Sequence, residues 1–550
     1  MKSILKLFAL CALVLAVSSC GKSRAEQMKM AENVKIQCTP EVLVATAGKI
    51  PVTITVTYPQ RYFHPKATMI VTPVLVYEGG QQTGQSYVYQ GEKVKENNKT
   101  IAKDGGSVTE RMVFNYEPGV EKSHLELRSV AMYNGSRIEI PTVKVADGCN
   151  TTYMLVKTSG LYGYKDDGYQ AVIEQSAEGQ ILYDKNSANV KSSELRSASI
   201  KELQEALKKF QADERTTIKG TQIVAYASPE GGKDLNDKLS DQRASSAQKA
   251  WSSISKSIEA DSPEIRSIGQ DWEGFRQAVA ESNIQDKDLI LRVLSMYSDP
   301  AVRESEIRNM SQIFTELQKD VFPELRRARF ITNTEYQNYT DEEISALLAS
   351  NESALDEPAL LHAATIVRDL DQKVAIYDKA IERFGSDVAR FNKGVALLQK
   401  GDDAAAADAF AKVKTVDADL YNVNGVIALH KGDLAAATNS FRAAGADHPL
   451  AKANQGAVDI LNGNYAKAAE ELADAPGCCN NTTLAYILTD QLDKAEAAIH
   501  CQDPQVQYLH AIIAARKGDS EGVKTYLEKA GAAAKFAERA AKDIEFAAYR

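Results

Sequence analysis

At 550 residues the chain exceeds what one hydrophobic core organises, and about three or four domains are expected. Its composition is that of ordinary globular protein, 44% hydrophobic and 25% charged, with no low-complexity tract. The formal net charge of -9 argues against a nucleic-acid partner, which needs clustered Lys and Arg, and gives no electrostatic pull toward anionic lipid headgroups.

Lys2 and Lys6 flank or precede an apolar run, Leu7 to Val17, too short to span a bilayer but of signal-peptide length. Val17-Ser18-Ser19-Cys20-Gly21 follows, and these small residues before a cysteine resemble the lipobox of bacterial lipoproteins. The resemblance implies a signal peptide at 1–19, diacylation of the Cys20 thiol and a linker over 20–32; an ordinary signal peptide that happens to contain Cys20 is the alternative. Cleavage would remove two lysines and no acid, leaving a net charge of -11. Residues 22–32 carry no acidic run, so an outer-membrane anchor facing the periplasm is expected, with the lipid as the sole membrane attachment. Five other cysteines would remain: Cys38, Cys149, Cys478, Cys479 and Cys501. They match no zinc spacing, the histidines are scattered, and neither a metal nor a cofactor is expected.

Residues 33–158 read as β. Val52 to Tyr58 alternates strictly, further β-rich runs follow, and turn signals such as Glu78-Gly-Gly80 and Asn134-Gly135 separate them. About seven short strands without an intervening helix predict a β-sandwich of immunoglobulin type. Cys38 and Cys149 bracket the module, either as a disulfide or as two thiols.

Over 165–335 a strand-like Ile181 to Asn189, a helix from Ser199 to Phe210 and a strand from Thr221 to Ser228 lead into a Pro-Glu-Gly-Gly turn and a helix carrying Asn236-Asp-Lys-Leu-Ser-Asp-Gln-Arg-Ala244. Asn236, Leu239, Ser240, Arg243 and Ala244 resemble the OmpA C-terminal family, whose signature is Asn-x-x-Leu-Ser-x-x-Arg-Ala. Leu325 to Ile331 is similar to that family's closing strand, and 260–320 would be a largely helical insertion. The resemblance implies an α/β fold of peptidoglycan-binding type. Family members that hold peptidoglycan place an Asp fifteen residues before the signature arginine, both side chains meeting diaminopimelate; here that position is Ser228. Glu230 would supply the carboxylate only if the turn re-aims it, so Ser228, Glu230, Asn236 and Arg243 form a candidate peptidoglycan site that this departure weakens. The other readings are a fold kept as a docking platform and Arg243 as a structural residue pairing with Asp237 or another acid. The chain's two tryptophans, Trp251 and Trp272, read as core residues.

From 358 to 531 the chain turns alanine-rich and repetitive. Gly401-Asp402, Gly432-Asp433 and Gly463-Asn464 recur every 31 residues, and Gly518-Asp519 follows. Gly394, Gly425, Gly456 and Ala511 stand seven positions before these glycines; Phe410, Phe441, Leu472 and Leu527 stand nine after. Small residues at a helix crossing with bulky ones beside it resemble the tetratricopeptide family. Six hairpins are expected, the first over Ala359 to Phe384 and the fifth with Asp490 for the turn glycine, then a capping helix over 532–550. In the fifth, Cys479 or Cys478 and Cys501 fall at one pole, as a disulfide or as buried thiols.

Arrays of this family expose a groove that grips a peptide. The register points inward with Phe391, Val395, Asn422, Val426, Leu429, Tyr508 and Ile512, a mostly apolar set suited to an amphipathic segment of an envelope protein. No nucleophile elbow, His-Glu-x-x-His helix or phosphate loop is present. A multidomain, non-enzymatic, lipid-anchored scaffold results, its partners being envelope proteins bound through the array. The alternative is a tether to peptidoglycan through the central domain.

Overall fold

The computed structural model describes residues 34–256, 258, 262–477 and 479–550; Cys20 with its lipobox, and Cys478, lie outside them. The chain forms two compact units, residues up to Lys165 together with Arg390–Arg550, and Asp166–Ala389.

The first unit opens with eleven strands: β1 (Lys35–Thr39), β2 (Leu43–Val44), β3 (Lys49–Tyr58), β4 (Thr68–Tyr77), β5 (Gly80–Thr83), β6 (Tyr87–Gly91), β7 (Lys99–Ile101), β8 (Gly106–Asn115), β9 (His124–Tyr133), β10 (Ser136–Asp147) and β11 (Cys149–Asn150). They build a sheet β1-β3-β8, a sheet β10-β9-β4-β6-β7 with β5 on β4, and a parallel pair β11-β2. Alternation in the sequence is alternation in burial: Ile50, Val52, Ile54, Val56 and Tyr58 of β3 all point into the core. Asn134 and Gly135, at φ 47° and 75°, make the tight turn joining β9 to β10. Parallel pairings (β6 with β7, β2 with β11) and the short extra strands depart from the seven antiparallel strands expected. Runs as short as β2 and β11 carry no periodicity to read.

Five helical hairpins complete this unit: Asp387–Lys400 with Asp403–Phe410, Ala418–His430 with Leu434–Ala444, Pro449–Leu461 with Tyr465–Glu471, Asn480–Leu488 with Leu492–Ala497, and Pro504–Lys517 with Ser520–Ala530. Ala534–Ala540 and a 3₁₀ turn, Ile544–Tyr549, cap them. The recurring Gly-Asp pair has a local cause. Gly401, Gly432 and Gly518 end one helix at φ 74–80°, and Asp402, Asp433 and Asp519 cap the next by accepting a backbone N–H. Asp490, at φ 58°, takes the glycine's place in the fourth of these hairpins. A Cβ on Gly425 would run into the Phe441 ring, and one on Gly456 would lie 2.6 Å from Leu472 Cγ. Gly425→Val is therefore expected to destabilise this unit by about 1–3 kcal/mol through overpacking, read as a lowered denaturation midpoint.

In the second unit β12 (Val172–Leu182), β13 (Thr216–Ala227), β14 (Glu264–Gln270) and β15 (Arg327–Gln337) form one sheet in the order β12-β15-β13-β14. Only β13 and β14 run parallel, joined by the crossover helix Lys233–Ile254. That helix and Ala198–Ala212 cover the sheet, with Trp251 stacked on Phe330 at 5.8 Å. Five helices between Trp272 and Leu325 enclose a separate small core around Phe275 and Phe322. β14 lies inside the range expected to be helical insertion. Helices Glu357–Ile366 and Leu370–Phe384, which open the array in the sequence, fall in this unit. Among the described residues no helix is long and apolar enough to cross a membrane.

Candidate functional site

The groove of the array is occupied by the chain itself. Residues 156–170 form neither helix nor strand, and 155–165 run along the hairpins' first helices, held by their main chain. Lys165 N–H donates to Asn392 Oδ1 at 2.7 Å while Asn392 Nδ2 donates to Lys165 C=O at 3.0 Å. Asn454 treats Leu161 the same way, at 2.7 and 2.8 Å, with Asn422 Nδ2 adding a second donor to that carbonyl at 2.9 Å. Asn481 clasps Lys157 at 2.8 and 2.9 Å, and Asn480 and Gln505 donate to Leu155 C=O. His430 Nε2 lies 3.1 Å from Ser159 O.

A carboxamide offers a donor and an acceptor side by side, as a neighbouring β-strand would. It grips any residue whose N–H and C=O point the same way, so this ladder reads backbone and only odd-numbered residues meet it. Side chains add anchors at the ends. Lys165 Nζ pairs with Asp417 and lies 4.7 Å over the Phe391 ring; Lys157 Nζ is 3.2 Å from Asp503. Burial works to raise both aspartates, but the paired lysine and backbone N–H donors outweigh it and hold each below the usual carboxylate range. Tyr162 packs into the cluster of Val426, Leu429 and Phe441, and Gly160, at φ 71°, passes so close to Val426 that no Cβ fits.

The β-rich module also docks on the cap. Glu545 pairs with Arg516 at 2.5 Å and accepts from Asn150 and Thr152 at 2.7 and 3.0 Å. Arg539 donates to Thr151 C=O at 2.9 Å.

Of the seven residues expected in the groove, Phe391, Asn422 and Val426 touch the segment and Leu429 shares the cluster that receives Tyr162. Val395, Tyr508 and Ile512 are wholly buried instead. Tyr508 donates to Asp543 at 2.8 Å and packs on Phe536 and Phe546 beneath the cap, because the last hairpin has the cap where earlier ones have the next repeat. The groove adds a row of asparagines to the apolar residues expected there. Asn392, Asn454, Asn480 and Asn481 were missed; their signal was a buried asparagine recurring, with Asn422, at intervals of 26 to 32 residues.

In the second unit Ser228, Glu230, Asn236 and Arg243 do converge, but on each other and on the fold. Asn236 Nδ2 ties down the turn through the carbonyls of Ser228 and Gly231, at 3.1 and 2.7 Å. Ser228 donates to Glu230, and Arg326 and Lys185 pair with the same carboxylate at 2.7 and 3.1 Å. Burial raises the Glu230 carboxyl, yet those partners hold it below the usual range. Arg243 is 0% exposed and donates to three backbone carbonyls, of Ser187, Tyr226 and Asp184, with its guanidinium 5.0 Å from the Tyr183 ring centre. Desolvation pulls it down to about 10. As folded, these four present no open acid–base pair to a diaminopimelate head, which corrects the candidate peptidoglycan site.

No bond joins Cys38 to Cys149; burial pushes these thiols up to about 11 and 12, the behaviour of small core hydrophobes. Cys479 and Cys501 do meet, Sγ to Sγ at 3.4 Å.

No protein-family model matches the chain, and no curated protein matches it. Among solved structures, a tetratricopeptide repeat protein from Parabacteroides merdae aligns at 13% identity and a TM-score of 0.30, over 37% of this chain and 91% of its own. YrrB, described as a TPR protein with an unusual peptide-binding site, aligns at 18% identity and a TM-score of 0.22, over 37% and 100%. The APC/C hetero-tetramer Cut9-Hcn1 aligns at 12% identity and a TM-score of 0.31 over 48% of this chain, which spans 58% of the matched chain's length. Scores this low establish no shared fold, and the all-helical C-terminal region stands on its own repeat geometry.

Proposed function

We propose that the chain is a non-enzymatic scaffold of a bacterial cell envelope, anchored to the outer membrane through acylated Cys20, facing the periplasm, and meeting envelope proteins through its helical array. The observation that carries this reading is the asparagine ladder: side chains of the array's first helices hold the segment 155–165 by the main chain of five of its residues. Such a face suits extended segments of other proteins, which would enter by displacing residues 155–165. Each main-chain bond contributes about 1 kcal/mol net, so exchange of one extended peptide for another is close to balanced. The alternative, a tether to peptidoglycan, draws no support from the internally paired Arg243.

Labelled palmitate is expected to enter the mature chain and to be absent from Cys20→Ala. A photo-crosslinking side chain at Tyr164, which is 37% exposed, should give one discrete adduct with an envelope protein in intact cells. An unacylated chain in the cytosol, or adducts within the chain only, would overturn the proposal.

A further inference from the structure

Beside the groove, the Cys479 and Cys501 sulfurs lie 3.4 Å apart, across 22 residues of sequence. Cys479 directly precedes Asn480 and Asn481, which hold Leu155 and Lys157. Cys501 stands two residues before Asp503, which pairs with Lys157, and four before Gln505, which reaches Leu155. At the two ends of one hairpin, each cysteine therefore stands next to a pair of side chains that grip residues 155 and 157: Asn480 and Asn481 after Cys479, Asp503 and Gln505 after Cys501. This is also the hairpin whose turn carries Asp490 at φ 58° where the others have glycine.

We propose that Cys479 and Cys501 form a disulfide that locks residues 155–157 into the groove. The separation must close by about 1.4 Å to reach a bond of about 2.05 Å, which is within reach of side-chain rotation. Cys501 is partly exposed and Cys479 is buried, so Cys501 meets the oxidant first. Its thiolate attacks one sulfur of a disulfide oxidant, such as oxidised glutathione or a dithiol oxidoreductase, and releases the other sulfur as a thiol. The Cys479 thiolate then displaces the bound half. Two thiols lose two protons and two electrons, and the oxidant leaves as two thiols. Joining the ends of the hairpin removes the opening motion that would carry Asn480 and Asn481 away from Asp503 and Gln505. The inference rests on the groove geometry and is independent of the membrane anchor.

The full mature chain, reduced and then treated with oxidised glutathione, should lose two alkylatable thiols and gain a bond linking the two ends of the hairpin. The bond should persist in Cys478→Ser and vanish in Cys479→Ser and Cys501→Ser. Wild-type chain needs no substitution for the second measurement: tryptic cleavage after Lys157 should be about tenfold slower in the oxidised form than in the reduced form. Thiols that stay alkylatable, a bond made by Cys478, or equal cleavage rates would each overturn the proposal.

Discussion

Arg243→Ala is expected to destabilise the unit formed by Asp166–Ala389 by about 3–5 kcal/mol, rather than to weaken a ligand site in an intact fold. The substitution removes three part-buried hydrogen bonds from a charged donor, to the carbonyls of Asp184, Ser187 and Tyr226, each worth about 1.5–3 kcal/mol before relaxation. It also leaves a hole where the largest fully buried side chain of the described residues had stood against Tyr183. A domain has only about 5–15 kcal/mol to lose, so much of this unit's stability is at stake. Arg243→Lys should recover little, because one ammonium on a flexible stem does not span three acceptors arranged around a planar fork. The readout is specific, since Trp251 and Trp272, the chain's two tryptophans, both lie in this unit. Urea titration followed by tryptophan fluorescence should show an early transition in the variant. An unchanged transition, with purified peptidoglycan retained by wild type and lost in the variant, would instead return Arg243 to a ligand site.

Arg243 shows where sequence reading stops. The motif around it was legible and so was the helix bearing it, yet its role is set by carbonyls supplied from residues 184 and 187, far away in sequence. The array was more readable. Its Gly-Asp turns are decided within a few residues by positive φ and a capping carboxylate, and its small–bulky pairs sit at fixed spacing. β3 was equally plain because one face is buried along its whole length. β14 was not, since Glu264-Ile-Arg-Ser-Ile268 at a sheet edge leaves Ile268 exposed and breaks the alternation. Helix phase was known only to about a turn, which is how Tyr508 was aimed at the groove and lies under the cap. Ser159 to Tyr164 has no periodicity at all, and it fell between the two stretches assigned to domains. Nothing in a main-chain-gripped segment advertises its ligand role, because the gripping side chains belong to other residues.

Gly160→Val should drive the middle of that segment out of the groove. At φ 71° a β-branched residue is strained by about 1–3 kcal/mol wherever it stands. Here the new Cβ would also lie 2.6 Å from both Val426 methyl carbons. Val426 is wholly buried against Leu429 and Phe441 and has nowhere to go, which adds overpacking of about 1–3 kcal/mol. Those terms act on one local opening, because Lys157 and Lys165 are held by other asparagines at either end. The Leu161 amide, which donates to Asn454, is the reporter. Its hydrogen exchange should speed up about a hundredfold, the equivalent of roughly 3 kcal/mol, while the amides of β3 keep their protection. Gly163→Val is the control, since a Cβ there meets nothing within 4 Å, and it should leave exchange at Leu161 nearly unchanged. Pairing Gly160→Val with Val426→Ala should restore part of the protection by removing the collision but not the φ strain. If Leu161 stays protected in Gly160→Val alone, the segment is not seated in the groove in solution, and the asparagines of the array are left without the main chain they hold here.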